Sequence, residues 1–283
     1  MKFSATSVML PKHDIVQTCA LLQRLGLDGV EWRVRRTPPG QGDAEPSSWG
    51  RHLTDLSPDN ILSHADDVKQ VCRDHGLAVA TFASNCSATD LEQVKLIAEG
   101  AQACGCPRVR IGCPRGYDGS VSYHDLYDEA VEAFGQALEI TRAFGVKALV
   151  EMHGGTIHPS ASLAHRLVSN FDAADIGVIY DPQNMVIDGY ETTSLAIELL
   201  GEYLAHIHVG AHRAEPTELD SKGTQQWSWP GCPMGKGLYN YPKMMTALQE
   251  SGYAGFISIE DFDPSRSEEE KLREGIRYLR SLL

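Results

Sequence analysis

Apolar and polar positions along this chain change period in a regular way. Short runs rich in Val, Ile, Phe and Ala are each followed by a longer stretch with apolar residues three or four apart. These are the signatures of a buried strand and an amphipathic helix. The predicted strands are Phe3–Met9, Gly29–Val34, Ala78–Ala83, Arg108–Gly112, Val146–Glu151, Ile176–Asp181, Leu204–His208 and Phe256–Glu260. Helical spacing covers Asp14–Leu25, Ile61–His75, Leu91–Cys104, Tyr123–Phe144, Ala161–Asn170, Thr193–Tyr203, Tyr241–Ser251 and Ser267–Leu283. Gly26, Gly76 and Gly145 stand where helices stop, and Asp90 stands where an N-cap belongs. Arg35–Ser57, Cys113–Ser122 and Arg213–Met234 have no period and read as long loops.

Eight strands in strict alternation with eight helices predict an α/β fold, a single-domain (β/α)₈ TIM barrel over residues 1–283. The competing architecture is an open, doubly wound sheet. It would gather its ligand groups at one switch point, whereas here they fall at four successive strand ends.

Those strand ends carry the chemistry. The runs VKALVE, IGVIYD and FISIE end on Glu151, Asp181 and Glu260, and LAHIH carries His206 and His208. Side chains two apart on a strand share a face, so each of these residues can point inward at the top of a barrel. A charged residue there is costly unless paired or metal-bound. Two glutamates, an aspartate and a histidine form an oxygen-rich set suited to Mn²⁺, Co²⁺ or Mg²⁺, with Zn and Fe as further candidates.

Composition narrows the function classes. A formal net charge of −13 and the scarcity of basic residues argue against a nucleic-acid partner. Seven cysteines with no CxxC pair read as reduced thiols, Cys113 and Cys232 lying near the proposed site. The first residues lack the apolar run of a signal peptide, and nothing approaches ~18 consecutive apolar residues. The expected setting is cytoplasmic, without a membrane. No GxGxxG follows the first strand and no Walker loop occurs, so no organic cofactor is expected.

Glu at the end of strand five, Asp-x-x-Asn after strand six, His-x-His on strand seven and GYAGFISIE on strand eight resemble the xylose-isomerase-like barrel superfamily. That group includes sugar isomerases and epimerases, inosose dehydratase-like and hydroxypyruvate isomerase-like enzymes, and the more distant endonuclease IV group. The stretch Pro233–Glu260 is similar to the family's loop-helix-strand unit almost throughout. The resemblance implies that Glu151, Asp181, His208 and Glu260 are the metal ligands, His206 being a buried, hydrogen-bonded barrel histidine. It also implies that Glu151 and Glu260 are catalytic, one removing a proton beside a carbonyl and the other returning it through an enediolate. A dimer is the family expectation.

The expected activity is therefore metal-dependent isomerisation or epimerisation of a small carbohydrate. A lyase or dehydratase acting on a keto-sugar or keto-inositol with the same site is the alternative. His153, two past Glu151, and His158 are candidates for substrate contact. Asn184 stands where related epimerases often carry His, and either meets a substrate hydroxyl or caps the following turn. Arg213 and Lys236 either bind a substrate anion or are solvated loop charges. Glu31 with Arg33, and Arg110, either line the barrel mouth or form ion pairs filling the barrel, the second being the preferred reading. Trp227 and Trp229 are candidates to stack on a sugar ring, wall the pocket or form a dimer contact.

Overall fold

The predicted strands lie side by side, all parallel, and close on themselves. A computed structural model describes residues 1–283. In chain order the elements are β1 (Lys2–Thr6), α1 (Ile15–Arg24), β2 (Gly29–Arg33), α2 (Ala65–Asp74), β3 (Ala78–Ala83), α3 (Leu91–Cys104) and β4 (Arg108–Arg110). There follow α4 (Tyr123–Ala143), β5 (Lys147–Glu151), α5 (Ala161–Val168), β6 (Ile176–Tyr180), α6 (Pro182–Asp188) and α7 (Thr193–Leu200). The chain ends with β7 (Leu204–Val209), β8 (Glu215–Leu219), β9 (Gln225–Ser228), α8 (Tyr241–Glu250), β10 (Phe256–Ile259) and α9 (Glu268–Arg280). The closed ring runs β1-β10-β7-β6-β5-β4-β3-β2, and β8 pairs with β9 in a separate antiparallel ribbon.

Local chemistry explains the helix ends. Asp14 and Gln17 form a reciprocal capping box at α1, as Ser267 and Glu270 do at α9, and Asp90 caps α3 through the Gln93 amide. Gly26, Gly76 and Gly145 take φ of 77°, 67° and 66° just past their helices, the left-handed turn that a side chain disfavours.

The structure departs from the sequence reading in four places. The first apolar run is strand only to Thr6, whose hydroxyl accepts from the Val8 amide and starts a 3₁₀ turn over Ser7–Met9. The second helical segment begins at Ala65 rather than Ile61, the preceding residues forming turns. An additional helix, α6, starts directly after Asp181, and the Arg213–Met234 loop contains the β8–β9 ribbon. That ribbon is mostly exposed on both faces, so it carries no apolar alternation to reveal it.

Burial separates the barrel into two layers. A large core between strands and helices includes Trp32, Phe82, Phe134 and Tyr180, all fully buried. Inside the barrel Leu149, Ile179 and Ala205 form a small apolar plug of their own. Leu149 and Ile179 are each two residues before a predicted ligand, so the plug floors the layer in which Glu151 and Asp181 lie. No helix is long and apolar enough to cross a membrane.

The Arg35–Ser57 loop is held partly by buried polar groups. His52 is 1% exposed, with Nε2 3.1 Å from the Ser48 carbonyl oxygen and no partner for Nδ1. Burial, reinforced by Arg33, lowers its pKa from 6.5 to about 4. A histidine kept neutral in the fold stabilises it above pH 6.5 and loses that contribution as pH falls toward 4, on the order of 3 kcal/mol in full. Denaturant titrations at pH 7 and pH 4.5 should show a smaller acid loss for His52→Gln than for wild type. Equal losses would place the acid sensitivity elsewhere.

Candidate metal centre and active site

Four strands deliver one candidate ligand each to the C-terminal mouth of the barrel. Glu151 is the last residue of β5 and His208 the penultimate residue of β7. Asp181 and Glu260 follow directly on β6 and β10. Their ligand atoms all lie within 4.8 Å of one another, and all four residues are buried.

The centre of the group is one nitrogen. His208 Nδ1 is 2.9 Å from Glu151 Oε1, 3.0 Å from Glu260 Oε2 and 3.8 Å from Asp181 Oδ2. Burial alone would lower the His208 pKa, but the charges of Glu31 and Glu260 outweigh it and hold the imidazole well above its usual range. The carboxylates that converge on it thus favour a proton on the ring. The same oxygen-rich donor set fits a hard divalent cation, which would release that proton on binding.

Glu31 completes the arrangement from below. Its carboxylate is fully buried on β2, Oε1 accepting from His208 Nε2 at 3.0 Å and Oε2 from His206 Nε2 at 2.9 Å. Burial raises the Glu31 pKa, yet the two histidines, His208 foremost, bring it well below the usual carboxylate range. Glu31 therefore holds the His208 ring with Nδ1 facing the three carboxylates, the position an outer carboxylate takes in metal sites. The expectation that Glu31 pairs with Arg33 is corrected: Arg33 donates instead to the carbonyls of Arg35 and Gly50. The reading of His206 as a buried, hydrogen-bonded barrel residue is borne out.

The two glutamates sit in different electrostatic surroundings. Burial pushes Glu151 up, but Arg110, with Nη1 2.6 Å from Oε2, together with His208 holds it at about 2. Burial dominates at Glu260 and leaves its pKa raised, against the pull of His208. Strands β5 and β10 lie three places apart around the ring of eight, so their carboxylates face a common cavity from different sides.

That cavity is about 270 Å³ and is bordered by Glu151 and Glu260 with Arg35, Arg110, His153, Gln183, Asn184, His212, Trp49 and Phe262. A smaller chamber of about 160 Å³ adjoins it, sharing Arg110, Glu151 and His153 and reaching Cys113, Arg115 and His158. A larger groove, about 730 Å³, lies against α7 and α8 outside the barrel, and no strand-end ligand borders it.

Among the expected substrate contacts, His153 is exposed at the cavity edge and His158 is buried at the smaller chamber, its Nε2 without a partner. Asn184 takes the turn-closing one of its two readings. Its amide donates to Asp181 Oδ1 at 3.0 Å, closing the first turn of α6, and its side chain donates to Oδ2 at 2.7 Å while bordering the cavity. Arg213 and Lys236 are not brought to the cavity. Arg213 is exposed and paired with Glu215 at 2.6 Å, and Lys236 is exposed on a 3₁₀ turn. An Arg213→Ala/Lys236→Ala variant should bind Mn²⁺ within about twofold of wild type, since solvated surface charges contribute little. A tenfold loss by titration calorimetry would contradict this placement.

The sequence reading assigned no role to Arg35, Gln183, His212 and Phe262; Gln183 lies in the first turn of α6 and the others in or beside loops without periodic signal. Trp227 and Trp229 do not border the cavity. Trp49 does, packed on Phe262 with ring centroids 5.1 Å apart.

The family model described as the xylose isomerase-like TIM barrel matches residues 19–282. The chain belongs to this family. The xylose isomerase-like barrel is also evident in solved structures. A 3-keto-D-glucoside 4-epimerase from E. coli has a TM-score of 0.73 at 15% identity, covering 99% of each chain. A D-allulose 3-epimerase from Methylomonas sp. has a TM-score of 0.72 at 15% identity, covering 100% of this chain and 98% of that one. A probable 3-DHS dehydratase from Bacillus anthracis has a TM-score of 0.75 at 14% identity, covering 99% of each chain. At these identities the likeness is one of fold. No curated protein matches the chain in sequence.

Proposed function

We propose that this xylose isomerase-like barrel is a divalent-metal-dependent sugar isomerase or epimerase. The observation that carries the reading is the convergence of Glu151, Asp181 and Glu260 on His208 Nδ1 beneath a small polar cavity. Glu151, Asp181, His208 and Glu260 would hold the cation, Mn²⁺, Co²⁺ or Mg²⁺ by donor chemistry. A cation held there supplies Lewis-acid polarisation of a substrate carbonyl, which acidifies the neighbouring C–H.

The chain's own groups do the rest. One of Glu151 and Glu260 takes the proton beside the carbonyl, leaving an enediolate, and the other returns it at the adjacent carbon or on the opposite face. Arg110 lies on Glu151 Oε2 and moderates its affinity for the proton. His153, Asn184 and His212 offer hydrogen bonds to substrate hydroxyls at the cavity wall. Gly210 permits the close approach on which the mouth depends, because a Cβ there would collide with the Gln183 side chain and the Glu260 carbonyl. Elimination is the second reading, favoured by the dehydratase among the structural neighbours. A leaving group beside the enediolate would depart before reprotonation.

The deciding experiment is metal content of the purified protein against a Glu151→Gln/Glu260→Gln variant, followed by solvent-deuterium exchange into ketoses. Stoichiometric metal that the variant lacks, with exchange at the carbon beside the carbonyl, is the expected result. Wild-type protein that takes up neither Mn²⁺ nor Co²⁺ would sink both the isomerase and the lyase reading.

A further inference from the structure

The cavity over the carboxylates carries a cation that the protein does not pair. Arg35 follows β2 and borders the cavity together with Arg110. Its only side-chain hydrogen bond is from Nε to the Ala83 carbonyl, at 3.3 Å, and it takes part in no ion pair. The neighbouring arginines are engaged: Arg110 with Glu151 at 2.6 Å, Arg33 with backbone carbonyls of the loop. The Arg35 guanidinium lies over the Trp49 ring, Cζ 5.5 Å from its centroid. Stacking of this kind covers one face of the plane and leaves the N–H edge available.

The arrangement is costly for the protein alone. Burial first, then the nearby charge of Arg110, lowers the Arg35 pKa to about 10, so the group stays charged in surroundings that penalise the charge. Glu151 and Glu260 offset part of this from a distance. A ligand anion would complete the pairing, and a guanidinium fork matches the planar oxygens of a carboxylate or the oxygens of a phosphate. A hydroxyl would leave most of the penalty in place. The position is also selective. In a chain of net charge −13, a local cation at the mouth favours the entry of an acidic ligand.

We propose that Arg35 is the receptor for an anionic group on the substrate, a carboxylate or a phosphate, so that this barrel acts on acidic sugars rather than neutral ketoses. The inference rests on the metal-dependent sugar reading above, because it assumes that the reacting carbons sit over Glu151 and Glu260. It makes Arg35 a specificity residue outside the metal ligand set.

The test is calorimetric titration with three probes, D-fructuronate, D-fructose 6-phosphate and D-fructose. Each is applied to wild type, Arg35→Gln and Arg35→Lys, with and without Mn²⁺. At least one acidic probe should bind wild type about tenfold or more tightly than fructose, as charge-assisted hydrogen bonds predict. Whichever acidic probe leads identifies carboxylate or phosphate as the anion. Arg35→Gln should erase that preference while fructose affinity and Mn²⁺ stoichiometry stay unchanged, and Arg35→Lys should retain part of it. Fructose binding as tightly as both acids, neither acid binding, or a preference that survives Arg35→Gln would each overturn the proposal. Should Arg35→Gln fail to fold, the Arg35→Lys series and the salt dependence of wild-type binding separate the same outcomes. A preference unmoved by either would then overturn it. An Arg35-dependent preference in protein that takes up no Mn²⁺ would leave the anion receptor standing and remove the metal reading.

Discussion

Glu260→Gln is expected to slow exchange of the substrate's α-proton with solvent deuterium by about 10²–10⁴-fold, the usual contribution of a positioned general acid or base. The substitution is nearly isosteric, and the backbone around it is well anchored. The Glu260 amide donates to the Val209 carbonyl at 2.8 Å, and the barrel register fixes β10 against β7 through Ser258 opposite His208. The loss is therefore chemical rather than conformational. Glutamine cannot carry a proton between two carbons, and it removes one of three carboxylates facing His208 Nδ1. Exchange must be measured at saturating Mn²⁺ so that weaker metal binding is not mistaken for slower proton transfer. A rate within threefold of wild type under those conditions would remove Glu260 from the proton path.

Glu31→Gln should weaken Mn²⁺ binding by about 10–100-fold, the usual consequence of losing an outer-sphere carboxylate. Glu31 lies on the far side of His208 from the other three carboxylates, so the effect is indirect. Its two oxygens accept from both His206 and His208, and a glutamine has only one accepting oxygen. One ring then loses its acceptor in a fully buried site, where an unmet donor is expensive. Competition titration with a fluorescent chelator measures the affinity. An unchanged value would show that packing alone holds the His208 ring.

How much was legible in the sequence varied along the chain. The β/α alternation could be read directly, since apolar period is set by which face a residue buries and needs no knowledge of partners. Closure of the ring, with β1 beside β10, was reached by counting eight units. The strand-end residues Glu151, Asp181, His208 and Glu260 were visible because hard ligands interrupt apolar runs at the same relative position. Their convergence on one nitrogen is a property of the closed barrel.

Glu31 shows where sequence reasoning stopped. Alternation placed it correctly on the inner face of β2, and nearby Arg33 made an ion pair the economical reading. The partners it actually meets are 175 and 177 residues away, and nothing local distinguishes a carboxylate that meets histidines from one that meets arginine. Arg213 and Arg35 make the converse point. Both are loop arginines beside a strand end, yet one is paired with Glu215 in solvent and the other borders the cavity unpaired.

By itself, then, the sequence determined the architecture and which hard side chains close the strands, because period and residue type act over a few positions. Tertiary structure alone decided which loops fold over the mouth, which histidine nitrogen faces the acids and which cation is left without a partner. Those outcomes depend on distances between residues far apart in the chain, which only the closed barrel sets.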